Sequence, residues 1–216
     1  MKKLYLNAIS NNLLETLTKL MQMRELSPFR LVGGTALSLQ LGHRISVDID
    51  LFTDTNYRSI DFTNIDNLLK KIFPFTKMLY IGNNSFGKSY YIGNNENEAV
   101  KLDLFYTDTF IRSIVEKDFV RMASLEEIAA MKMEVIGNGG RKKDFWDIHE
   151  LLDYLPLEQM FALHAERYPY SHSKGTLINK LVDFQIADNE ADPICLKGKY
   201  WELIKEDFGE IIQIAK

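Results

Sequence analysis

The sequence has a single cysteine, Cys195, so no internal disulfide can form and no cluster of thiols can hold a metal. This suits a reducing compartment. No apolar run approaches the ~18 residues that a membrane-spanning helix needs. The start, "MKKLYLNAISNNLLETL", has two lysines, but Asn7, Asn11, Asn12 and Glu15 interrupt the apolar stretch that a secretion signal requires. The expectation is a cytoplasmic protein without a membrane association. Repeats and low-complexity tracts are missing. His43, His149, His164 and His172 show neither metal-ligand spacing nor a nucleophile–base arrangement; His149 is expected at the surface or at the edge of a cleft. There is no strong charge of either sign: 26 Lys and Arg against 30 Asp and Glu leave −4. That gives no support to a globally basic nucleic-acid binder, although a local basic patch can hide in an acidic total.

What is present is a chain of 216 residues, 46% hydrophobic and 26% charged, enough for one large or two small globular domains. Leu13, Leu14, Leu17, Leu20 and Met21 recur with a helical period, which predicts a helix over residues 10–26 that ends before Pro28. "FRLVGG" reads as a short strand running into a tight glycine turn. Thr35 to Leu41 follows as a helix that Gly42 ends. From Arg44 the period becomes two. Ile45, Val47, Ile49 and Leu51 are expected on one strand face, and Arg44, Ser46, Asp48 and Asp50 on the other.

Asp61 to Phe73 predicts another helix, stopped by Pro74. "TKMLYIG", "KSYYIGN" and "VKLDLFYT" read as a meander joined by the turns "GNNSFG" and "GNNENE". At Ser124 a capping box with Glu127 opens a helix, and the rest reads as helical almost to Lys216. The expected division lies near residue 122: an α/β domain over 1–121 and a helical domain over 122–216.

Three features carry chemistry. Asp48 and Asp50, at i and i+2 on one strand face, repel each other and raise each other's pKa unless a cation lies between them. A hard divalent ion relieves that repulsion, and Mg²⁺ in particular is held by one or two carboxylates plus substrate phosphates. A polar strand face at a domain surface would carry the same pattern. Gly33 and Gly34, at a strand end before a helix, let the backbone approach a ligand closely, and free amides at a helix start favour phosphate. Thr35 could add a hydroxyl or simply cap the helix. Asp103 in "VKLDLFY" lies on the polar face of another strand, where it would complete a three-acid cage for two Mg²⁺ ions or else pair with Lys101. Arg44 and Ser46 share the polar face of the aspartates: Arg44 as a clamp for a carboxylate or a contact for phosphate, Ser46 as a second contact or a filler. Lys132 is a further phosphate candidate. "ERYPYSHSKG" offers aromatic and basic groups for RNA, or an irregular loop.

The spacing Val32-Gly33-Gly34, thirteen residues, Asp48-Ile49-Asp50-Leu51 resembles the signature of the polymerase-β-type nucleotidyltransferase superfamily. Within it, "GGTAL", "HRISVDIDLF", "KLDLF" and "RKKDFWDIHELL" together look like the AbiEii abortive-infection toxin family, from about Phe29 to Leu152. The resemblance implies an α+β fold: a nucleotidyltransferase-type mixed β-sheet with flanking helices, followed by a helical C-terminal half. It implies that Asp48 and Asp50 are metal ligands, that the glycine turn holds the nucleoside triphosphate, and that Asp103 activates the attacking hydroxyl. Arg141, Lys143, Asp144 and Asp147 match the family's R-x-K-D-x-x-D motif. On a helix Lys143 and Asp147 are one turn apart and Asp144 and Asp147 share a face. Lys143 could then reach triphosphate oxygens, while Asp144 or Asp147 orients that lysine or Arg44, or works as a base. The motif could equally be a solvated helix start.

The activity implied is Mg²⁺-dependent transfer of a nucleotidyl group from an NTP to an acceptor hydroxyl, with RNA such as tRNA as a plausible acceptor. The context implied is a toxin–antitoxin or phage-defence pair in which the antitoxin is a separate protein. Two other readings use the same residues: an inactive nucleotide- or RNA-binding protein, and a transferase that modifies a small molecule.

Overall fold

The computed structural model describes residues 3–79 and 86–215. Helix α1 (Asn11–Gln22) begins where the Ser10 hydroxyl accepts the Leu13 amide. Leu13, Leu17 and Leu20, which share one helical face, are buried, each stabilising the fold by roughly 1.5–3 kcal/mol. A 3-10 turn, Arg24–Leu26, completes the stretch expected as one helix over 10–26. Strand β1 (Arg30–Leu31) is two residues long, and α2 (Gly33–Leu41) follows at once. The glycine pair therefore forms the first turn of α2 rather than preceding it, while Gly42 ends the helix as expected.

Strand β2 covers only Asp48–Thr53, so the strand expected from Arg44 is four residues shorter. Over 44–47 the expected faces are also reversed. Arg44 and Ser46 are buried, whereas Val47 is 65% exposed. The cause is the neighbours of this segment. The Ile45 amide donates to the Ile194 carbonyl and the Ser46 amide to that of Ala8, so it pairs with two loops and not with a strand.

Helix α3 (Phe62–Ile72) is capped by the Asp61 side chain. Strands β3 (Phe75–Leu79), β4 (Gly87–Gly93) and β5 (Val100–Tyr106) form the expected antiparallel meander. Most of the predicted "GNNSFG" turn and the end of "TKMLYIG" lie at 80–85, outside the described residues. The hairpin of β6 (Val115–Lys117) and β7 (Val120–Met122) was not expected, because each strand has three residues and charged groups crowd its turn.

The C-terminal helices are α4 (Leu125–Gly137), α5 (Lys142–Leu151), α6 (Leu157–Arg167), α7 (Lys174–Lys180) and α8 (Trp201–Ala215). Residues 181–200, expected to be helical, hold only a 3-10 turn, Ala187–Asn189; Pro193 and Gly198 break the remainder. Ser124 caps α4 by accepting the Glu127 amide. The Glu127 carboxylate does not return to it as a capping box would. It pairs with Arg167 of α6 at 2.6 Å, with both side chains fully buried. No described helix is long and apolar enough to cross a membrane.

Among the described residues seven strands form one mixed sheet in the order β3-β4-β5-β2-β1-β7-β6. β2 runs parallel to β5, and Leu31 of β1 is shared between Leu51, antiparallel, and Met122, parallel. One face of β2 and β5 sends Ile49, Leu51, Leu102 and Leu104 into a core that runs from Leu4 to Ile212. The other face carries Asp48, Asp50 and Phe52 beside Lys101, Asp103 and Phe105. The fold is α+β.

Candidate active site

The site starts at the glycine pair. Gly33 has φ +66°, and a Cβ there would lie 2.9 Å from Asp50 Oδ2. A Cβ on Gly34 would lie 2.4 Å from Arg44 Nη2. Neither position tolerates a side chain without moving an acid or a guanidinium. Val32 precedes α2 without a side-chain cap, and Gly33 and Gly34, the opening residues of the helix, both line the cavity. A helix start of this kind favours an anion.

The acids come next. Register places Asp50 directly beside Asp103 on the parallel strand and Asp48 beside Lys101. Burial, then the charges of Asp103 and Asp48, push the Asp50 carboxyl up to about 6, against the pull of Lys101 and Lys132. The Asp103 carboxylate is held by Lys101 Nζ and by the Ser89 hydroxyl, each at 2.5 Å. Both partners proposed for Asp103, the acids and Lys101, are thus its neighbours. Among the described residues no three His, Cys, Asp or Glu side chains converge as a closed metal cage. The donor chemistry nevertheless fits a hard divalent cation. Asp48 and Asp50 supply carboxylate oxygens on one sheet face, with Asp103 directly beside Asp50.

The cations lie opposite. Lys143 Nζ is 3.9 Å from Asp48 Oδ2. Its pKa is lowered, first by burial and then by Arg141, Lys132 and Arg44, so an anion bound there would be favoured. Arg141 stands at the start of α5, where its amide donates to the Asp144 carboxylate, and its side chain is largely exposed.

Behind this wall the charges cancel in pairs. Asp147, fully buried, accepts Arg44 Nε at 2.6 Å and Nη2 at 2.8 Å in a bidentate clamp. It also bonds His43 Nε2 at 2.7 Å. Lys132 reaches both Asp144 and Asp147 at 2.6 Å. Against the penalty of burial, Arg44 and Lys132 hold the Asp147 carboxyl well below its ordinary value; Asp147 and Asp144 hold Lys132 above its own. The orienting role expected of the two aspartates is therefore exerted on Arg44 and Lys132, not on Lys143. Thr35 is buried as well. Its hydroxyl donates to the Asp48 carbonyl and meets Ser46 Oγ at 2.8 Å, which fastens α2 to the segment leading into β2.

These groups surround a cavity of about 300 Å³. Of the residues expected from sequence, Gly33, Gly34, Arg44, Ser46, Asp48, Asp50, Lys132, Arg141, Lys143 and Asp144 line it. Thr35, Asp103 and Asp147 do not. The remaining wall comes from Val32, Phe52 and Thr107, from Ile128, Met131, Glu134 and Val135 of α4, and from Tyr168 just after α6. Sequence reasoning missed this wall. Ile128, Met131 and Val135 follow i, i+3, i+7 and look like an ordinary core stripe, yet Val135 is 41% exposed. Tyr168 belongs to "ERYPYSHSKG", which is the irregular loop between α6 and α7. His149 does not line the cavity; it is half-buried and bonds Asp207 at 2.8 Å.

Comparison with known proteins places this geometry. An uncharacterized protein of Aquifex aeolicus (strain VF5), aq_aa25, is 27% identical over 206 residues, covering 90% of this chain and 91% of that protein. The crystal structure of JHP933 from Helicobacter pylori shares the fold with a TM-score of 0.58 at 20% identity, over 95% of this chain and 92% of that one. MenT4, a nucleotidyltransferase toxin from Mycobacterium tuberculosis H37Rv, does so with a TM-score of 0.56 at 10% identity, over 92% and 82%. The family model described as nucleotidyl transferase AbiEii toxin, type IV TA system, matches residues 16–212. A match over that length of the chain settles membership: this protein belongs to the AbiEii nucleotidyltransferase toxin family.

Proposed function

We propose that the chain transfers a nucleotidyl group from a nucleoside triphosphate to a hydroxyl of RNA, such as a tRNA 3′ end, and does so as a cytoplasmic toxin whose antitoxin is a separate protein. The observation that carries this reading is one cavity in which a helix start and the cations Arg44, Lys132, Arg141 and Lys143 surround a carboxylate pair. The α/β part over 1–121 supplies that pair, the helix start and Arg44, and the helical part over 122–216 supplies the other three cations.

In the reaction, the acceptor oxygen forms a bond to the α-phosphorus and the bond from that phosphorus to the bridging oxygen breaks. Pyrophosphate leaves with the electron pair, and the hydroxyl proton passes to Asp103. The amides of Gly33 and Gly34 orient the phosphates. Lys143 and Arg141 meet the charge that grows on the leaving group. Arg44 and Lys132 are held at the cavity wall by Asp147 and Asp144, so no reorganisation is needed when substrate enters. Mg²⁺ held by Asp48 and Asp50, with Asp103 beside them, would neutralise phosphate charge and lower the acidity barrier of the attacking hydroxyl.

The test is incubation with each labelled nucleoside triphosphate, Mg²⁺ and total cellular RNA, comparing the wild type with Asp48→Ala. Label entering RNA with the wild type alone is the expected result. Label entering protein or a small molecule, or nothing across all four nucleotides, overturns the RNA reading.

A further inference from the structure

Lys143 and its neighbour Arg141 come from the start of α5, whereas the sheet continues from the acid strand β2 through β5 and β4 to β3. Arg141 and Lys143 line not only the cavity but also a second groove of about 500 Å³, together with Arg44, Val47, Ile194 and the acids Glu190 and Asp192. An in-line displacement sends the leaving group and the attacking hydroxyl to opposite sides of the phosphorus. If pyrophosphate departs along the basic side, the acceptor must arrive from the side of Asp103.

On that side the sheet continues as β5, β4 and β3. Its buried face carries Tyr90, Ile92, Leu102 and Leu104. The other face is exposed, and register sets Lys101, Tyr91 and Lys77 in one row across the three strands. Tyr91 is 37% exposed, and the side chains of Lys101 and Lys77 are 34% and 61% exposed. Two residues along, Ser89 and Asp103 form the next row on the same face, which ends at Asp50. Lys101 is bonded to Asp103 at 2.5 Å and Lys77 lies 3.9 Å from Glu96, so an anionic strand would have to compete with these carboxylates. An aromatic ring between two lysines on a partly exposed strand face is an arrangement that can hold a single nucleic-acid strand: the ring stacks a base and the ammonium groups follow the backbone.

Building on the transferase reading above, we infer that the open face of β3, β4 and β5 is the platform for the RNA acceptor, with Tyr91 as its stacking residue. Single-stranded RNA lying across the row from Lys77 to Lys101 delivers its terminal hydroxyl to Asp103 and Asp50. Neither Tyr91 nor Lys77 touches the nucleotide cavity, so their substitution alters acceptor binding alone.

The experiment measures nucleotidyl transfer into total cellular RNA, with RNA and nucleotide varied separately, for the wild type, Tyr91→Ala, Tyr91→Phe and Lys77→Ala. Thermal unfolding of each variant serves as a check on the fold. Tyr91→Ala is expected to raise KM for RNA about tenfold, the loss of one base stack, with KM for the nucleotide unchanged. Tyr91→Phe, which keeps the ring, is expected to restore it, and Lys77→Ala to give a smaller rise. Wild-type KM for RNA in both Tyr91→Ala and Lys77→Ala overturns the platform. A wild type that labels no RNA overturns the transferase reading itself, and the platform with it.

Discussion

Two clusters of charge lie within one side chain's reach of each other and are built on opposite plans. In the cluster of Arg44, Lys132, Asp144, Asp147 and His43, every carboxylate is matched to a cation by short bonds out of contact with water. In the cluster of Asp48, Asp50 and Asp103, three acids share a sheet face with Lys101, bonded to Asp103, while Lys143 of α5 stands 3.9 Å from Asp48. The first cluster fixes Arg44 and Lys132 at the cavity wall. In the second, burial first and the neighbouring acids second raise the Asp50 carboxyl to about 6. Buried charge can be answered inside the fold or remain costly to hold, and the two clusters differ in this.

The contrast can be broken in four ways. Asp147→Ala leaves Arg44 without its carboxylate in the interior and Lys132 with Asp144 alone, and is expected to lower stability by about 3–5 kcal/mol in urea denaturation. Asp48→Ala is expected to cost the reaction about 3–4 kcal/mol, on the order of 10²–10³ in rate, with an unchanged or higher thermal midpoint. A large loss of stability in Asp48→Ala would erase the distinction between the clusters. The third test is pH. The Asp50 carboxyl lies near 6 in the folded chain and at 3.8 when unperturbed, so between those values the folded state holds the proton more tightly. The stabilisation this gives is fully present below pH 3.8 and is lost as pH rises through 6, by about 3 kcal/mol. Asp50→Asn should remove that slope from unfolding curves measured across the range. Last, Gly34→Ala pushes a Cβ against Arg44 and should cost about 1–3 kcal/mol, with crystal structures showing a displaced guanidinium.

Much of this was legible in residue order. The period of two in "VDIDLF" and "VKLDLFY" placed Ile49, Leu51, Leu102 and Leu104 in the core and the acids on the opposite face. Gly42 and Asp61 marked helix ends because their chemistry acts locally. Arg44 was misplaced as a strand residue because its orientation depends on Asp147, which lies 103 positions away. The hairpin of β6 and β7 was invisible for a related reason. Strands of three residues carry too little pattern, and what stabilises β7 is its pairing with Leu31. Thr35 and Asp147 carried the right chemical types, but depth within a fold is not encoded in a motif's spacing.

The bond from Arg44 to Asp147 also sets a timetable. During synthesis, the glycine turn and the acid strand leave the ribosome long before α5 does. At roughly 5–20 residues per second, the first 147 residues take on the order of ten seconds to make, and until then Arg44 has no clamp and the cavity no cationic wall. The cavity is therefore completed only when α5 has been made, and a chain that ends before Lys143 lacks both the clamp on Arg44 and the cation facing Asp48.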